Sequence, residues 1–149
     1  MRIYLNNHKT VFFFLAICLS QYNEIVIANP EAEYLYKSGI TLFNNAKYED
    51  SIEKLEIAIK LEPKIASYHH ILAKSYGREA EKSGWFKAIK FAKKTRLHLE
   101  LAAELDPENI EILSDLMKFY NEAPMFLGGS SKKANKINSK IKEIHSNKY

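Results

Sequence analysis

Apolar and small residues recur at helical spacing between residues 32 and 63, with Leu35, Ser38, Gly39 and Leu42 on one face. Asn44-Asn45 interrupts the run. Tyr48, Ser51, Leu55 and Ala58 resume it, and Pro63, which has no N–H to donate, ends it. The pattern predicts two helices folded back on each other. Such a pair leaves an apolar face uncovered and calls for a neighbour of the same kind.

The same pattern returns twice. His69, Leu72, Ala73 and Tyr76 open a second unit, and Thr95, Leu99, Ala102 and Pro107 close it. Leu105–Pro107 (LDP) echoes Leu61–Pro63 (LEP). Leu113, Leu116, Met117 and Tyr120 open a third, whose second half carries Ile137, Ile141 and Ile144 over Ser131–His145.

The first unit, with Leu35-x2-Ser38-Gly39-x2-Leu42 followed by Ser51-x3-Leu55, Ala58 and Pro63, resembles a tetratricopeptide repeat (TPR). The resemblance extends from Ala32 to about His145 and includes the LSDLMKFYNEAPMFLGG stretch, which is similar to small exported bacterial TPR proteins. It implies an all-α, TPR-type solenoid of three antiparallel helix pairs, with repeats at about 32–65, 66–109 and 110–146. It further implies a protein-interaction scaffold and names no ligand. Pro63 and Pro107 lie 44 residues apart, ten more than the standard repeat of about 34. The surplus falls around Glu79–Lys94, with Ser83-Gly84 as the turn, and lengthens the helices to about Ile65–Lys82 and Trp85–Leu105. The third unit has a long connection of its own, Glu122–Ser130.

Ahead of the repeats, Arg2 and Lys9 flank a polar opening, and Val11–Leu19 is an unbroken apolar run of nine. A bilayer span needs about 20 residues. The run has the length of a signal-peptide core, and Val26-Ile27-Ala28 supplies small residues for cleavage before Asn29. Residues 1–28 are therefore expected to be a signal peptide and 29–149 the exported, periplasmic or secreted domain. An uncleaved N-terminal anchor is the alternative. Cleavage would remove Cys18, the sole cysteine, and with it disulfides, a thiol nucleophile and Cys-based zinc sites. It would change the net charge from +4 to +3, too little for the concentrated basic face of a nucleic-acid binder.

Two groups of residues are candidates for partner binding. The inner helix faces of a TPR array should carry Tyr36, Ile40 and Asn44, then His70, Lys74 and Arg78, then Ser114, Lys118 and Asn121. His70, Lys74 and Arg78 lie four apart on one helix edge and, with Lys118, could receive an acidic group such as a peptide carboxyl terminus. Tyr36 and Ile40 stand where a carboxylate-clamp TPR would have Lys and Asn. The plainer reading is a solvated basic edge. The second group is Trp85 and Phe86 with Met125, Phe126 and Leu127, an apolar patch on the two long connections. Mutual packing that shields these side chains from water is the more economical expectation, because exposing them costs about 25 cal/mol per Å2.

No site for a cofactor or metal is expected. Gly128-Gly129-Ser130-Ser131-Lys132 lacks the spacing and preceding strand of a phosphate loop, and a turn with a Ser helix cap explains it. His69 and His70 point about 100° apart on a helix. No H-E-x-x-H or paired-carboxylate motif points to an enzyme. Lys132, Lys133, Lys136, Lys140 and Lys142 oppose Ile137, Ile141 and Ile144, as a solubilising cap or a membrane-surface helix would. The expected function is a protein or peptide scaffold in the cell envelope. An envelope-structural or membrane-surface role is the alternative.

Overall fold

The structure is a computed structural model and describes residues 29–147. The leader expected at residues 1–28 lies outside them. Among the described residues there are six α-helices: α1 (Pro30–Asn44), α2 (Tyr48–Leu61), α3 (Ala66–Lys82), α4 (Trp85–Leu105), α5 (Ile110–Glu122) and α6 (Ser131–Asn147). A single 3-10 turn, Met125–Leu127, interrupts the last connection. The surplus length lies where expected, in a long α3 and α4 turning at Ser83-Gly84.

Local chemistry sets several helix ends. Asn29 caps α1, its Oδ1 accepting from the backbone N–H of Glu31 (3.0 Å) and Ala32 (3.4 Å), with Pro30 in the first turn. Asn109 caps α5 in the same way, through Glu111 (3.1 Å) and Ile112 (3.3 Å). The turn after α1 is less regular. Ala46 takes φ 58°, a left-handed conformation that side chains with a Cβ disfavour.

Each helix packs on its neighbours in sequence, and α1 also touches α3. The core is accordingly a string of local clusters. Ala32, Ala58 and Tyr68 join α1, α2 and α3; Ile52, Leu55, Leu72 and Tyr76 join α2 and α3. Ala73, Leu99, Leu116, Tyr120 and Ala134 join α3 through α6. Between α1 and α2 the approach is close. A Cβ on Gly39 would meet Leu55 Cγ at 2.7 Å. Buried hydroxyls complete this contact. Ser51 donates to Gly39 O (2.8 Å), Ser75 donates to Ile71 O (2.9 Å), and the two hydroxyl oxygens lie 3.0 Å apart.

A polar arrangement repeats along the fold. Tyr76 donates to Glu56, and Lys94 lies on both, 2.6 Å from the phenol oxygen and 3.1 Å from the carboxylate. Tyr120 likewise donates to Glu100 (2.6 Å), with Lys133 3.5 Å from the phenol and 3.6 Å from the carboxylate. Both lysines also sit over the tyrosine rings, at 4.5 and 4.9 Å. Burial and the adjacent carboxylate push both phenol pKa values well above the ordinary range, so both act as neutral donors. Glu56 and Glu100, like Tyr76 and Tyr120, are 44 residues apart.

Candidate functional site

Helices α3, α4 and α5, with Phe43 from α1, enclose an open cavity of about 210 Å3. Its apolar walls are Phe43, Ala73, Leu99 and Phe119, and its rim carries Lys74, Arg78 and Lys118. These three cations were expected to share one face, and they do. Their charges are partly answered by acids of the same surface. Lys74 pairs with Glu111 (3.3 Å) and Arg78 with Glu81 (2.8 Å). The groove is therefore bordered by both signs of charge, and Glu81, Asp115 and Glu122 complete the rim.

Two expected members of this face do other work. His70 is buried, and its Nε2 meets Asp115 Oδ2 at 2.7 Å, so it joins α3 to α5 and does not offer a free donor to a ligand. The hydrogen bond from His70 holds the Asp115 carboxyl below its ordinary pKa against the effect of burial, with Lys74 and Lys118 helping. Tyr36 stacks on Tyr68 at 4.5 Å and packs between α1 and α3, outside the groove. Ile40, Asn44, Ser114 and Asn121 do not line it either. Replacing Asp115 by Ala should leave His70 buried without its partner and lower stability by about 1–2 kcal/mol, measured as a fall in urea midpoint. A midpoint unchanged from the parent would show the pair to be dispensable.

His69 faces away from His70, as their adjacency requires. It is buried against α4, with Nε2 donating to Pro63 O (3.0 Å) and Nδ1 2.9 Å from Nδ1 of His98. In the tautomer that places Nε2–H on the carbonyl, Nδ1 of His69 accepts and His98 is the donor. His70, Glu111 and Asp115 offer donor atoms within 4.8 Å of one another, a set that could take a metal ion. His70 and Lys74 already engage these carboxylates. The grouping was hidden in the sequence because His70 and Asp115 are 45 residues apart.

The apolar residues of the two connections meet but do not shield one another. Trp85 and Phe126 lie with ring centroids 6.4 Å apart. Trp85 is nevertheless 69% exposed, Phe86 87%, Met125 88% and Phe126 62%. The expectation of mutual burial is corrected here, because both segments end at the protein's edge and no further element among the described residues covers them. Leu127 departs from the patch and turns inward, lining a small cavity with Phe119 and Pro124.

The glycines after this turn are required by packing. Gly128 has φ 102°, and a Cβ there would lie 2.0 Å from Arg96 Nη1; one on Gly129 would lie 1.7 Å from Ala123 O. A larger cavity of about 650 Å3 runs between α4, α5 and α6, with Leu113, Leu116 and Ile137 in its walls and glutamates and lysines around it. Sequence reasoning missed it, since its walls come from three helices whose placement the local pattern does not give. No protein-family model matches the chain, and no curated protein matches it.

Proposed function

We propose that this chain is an exported TPR-type protein of three helix pairs that binds an extended or helical segment of a partner protein in the α3–α5 groove. The observation that carries this reading is the convergence of Lys74, Arg78 and Lys118 over the apolar walls formed by Phe43 and Phe119. A segment with apolar side chains and mixed or terminal acidic charge complements such a groove. The TPR assignment draws support from the Glu–Tyr pair that recurs 44 residues on, the interval that also separates Pro63 from Pro107.

The reading of export rests on the sequence pattern of residues 1–28, and the surroundings of Asn29 bear on its cleavage. The backbone N of Asn29 lies 3.2 Å from Glu62 Oε1. Cleavage after Ala28 would convert that N–H into an α-ammonium facing a carboxylate. N-terminal sequencing of the protein from its native cell should begin at Asn29.

The groove is tested by placing a photo-crosslinking amino acid at Lys118 and, as a control on another surface, at Lys60. In the native cell Lys118 should yield a discrete adduct that Lys60 does not, and K74E/R78E should diminish it at least severalfold. Identical adduct patterns from both positions, or an adduct indifferent to the charge reversals, would refute groove binding.

A further inference from the structure

The exposed aromatic patch is built, held in place and left uncovered. Its loop is ordered by backbone hydrogen bonds: Leu127 N–H to Pro124 O (2.9 Å), Gly128 N–H to Met125 O (2.9 Å), Gly129 N–H to Pro124 O (3.1 Å) and Ser130 N–H to Tyr120 O (2.8 Å). Gly128 lets the loop lie against Arg96, and Gly129 lets it close on Ala123. A loop fixed this firmly could have turned its large side chains inward, as it does with Leu127. It presents Met125 and Phe126 outward, beside Trp85 and Phe86 at the start of α4.

Beside the patch, α4 carries two exposed cations, while Glu122 stands on the other side, before the loop. Along α4, Phe86, Lys90, Lys93 and Leu97 follow one another at intervals of three and four, so they form one stripe, and all four are exposed. Lys90 and Lys93 make no ion pair among the described residues, unlike Lys87, which is paired with Glu49 at 2.8 Å. The side chains at 85, 86, 125 and 126 project from a helix start and a turn. A surface of protruding aromatic tips flanked by unpaired lysines suits a soft, negatively charged acceptor that needs no matching shape.

We propose that Trp85, Phe86, Met125 and Phe126 insert into the headgroup region of an anionic lipid bilayer, with Lys90 and Lys93 lying on its phosphates. No described helix is long and apolar enough to cross a membrane, so the contact is with the surface. None of these four side chains lines the α3–α5 groove.

Trp85 is the only tryptophan and reports directly on the patch. With the full chain, vesicles of phosphatidylglycerol should shift its emission to the blue, and brominated acyl chains in those vesicles should quench it. M125S/F126S should weaken vesicle binding read at Trp85 by tenfold or more. K90E/K93E should weaken it by about thirtyfold or more, given the contribution of each lysine near an anionic surface. These side chains are exposed, so both variants should keep the parent's helical circular dichroism. Phosphatidylcholine vesicles should give little change. A Trp85 spectrum unmoved by anionic vesicles overturns the proposal, including when the chain sediments with them through its N-terminal apolar run, and reassigns the patch to a protein partner. Equal binding to phosphatidylcholine overturns the role of the lysines.

Discussion

Replacing Gly39 by Val is expected to lower the stability of the fold by about 3 kcal/mol, read as a fall in the urea midpoint at constant m-value. A Cβ at this position would lie 2.7 Å from Leu55 Cγ and 2.9 Å from its Cδ2. Carbon atoms in contact sit about 3.5–4.0 Å apart, so one side must yield. Leu55 is fully buried among Ile52, Leu72 and Tyr76 and has nowhere to retreat. Separating α1 from α2 instead would stretch the bond from Ser51 to Gly39 O. The opposing effect is the better helix propensity of valine, about 0.5 kcal/mol, which is too small to compensate. Leu55→Ala alone should cost about 2–5 kcal/mol through the cavity it leaves. The double variant tests the mechanism. If the introduced valine side chain intrudes on the space of Leu55, then G39V/L55A should be less destabilised than the two single changes added together. Strict additivity would mean that Gly39 matters for another reason.

That close approach was legible in the sequence, because a glycine on the packed face of a helix, in the place Ala73 takes in the second unit, admits a neighbour close to it. The helix bounds were legible for a related reason: Pro63, Ser83-Gly84 and Pro107 are local signals that act regardless of what packs nearby. The turn at Ala46 was not, since alanine has no preference for the left-handed conformation it adopts there. Long-range polar pairing was hidden altogether. Tyr76 and Tyr120 stood out as pattern positions, but nothing in the spacing singled out Glu56 or Glu100. Their role depends on which helix lies opposite, and that is a property of the packing. His70 shows the same limit. Its spacing with Lys74 and Arg78 placed it on the right face, and its partner 45 residues away decided what it does there. The patch went wrong in the other direction. Burial was expected because exposed aromatics are costly, and cost alone does not say whether a covering element exists.

Acidification between pH 6.5 and 4 is expected to cost the fold about 2 kcal/mol through His98. Burial, the neighbouring His69 ring and the nearby Lys94 lower its pKa from 6.5 to about 4, with Glu56 opposing. The imidazole is neutral in the folded protein over this range, while the unfolded chain takes up a proton at about 6.5. Because the unfolded state binds more protons here, stability rises with pH between these values. The contribution is complete above about 6.5 and is lost as the pH falls towards 4. A full shift of this size would be worth about 3 kcal/mol, and the partial exposure of His98 reduces it. Glu56 and Asp115 act in a lower window. Their carboxyl pKa values are depressed in the fold, so their contribution is present above the ordinary carboxylate range and disappears below it. Urea unfolding at about pH 7.5, 5.5 and 4.5 separates the two. The parent should lose stability already at about pH 5.5 and further at about 4.5. His98→Gln, which can still donate to His69 Nδ1 but cannot titrate, should show a distinctly flatter dependence over that interval. The same slope in parent and variant would assign the acid sensitivity to other groups and leave the His69–His98 contact as packing alone.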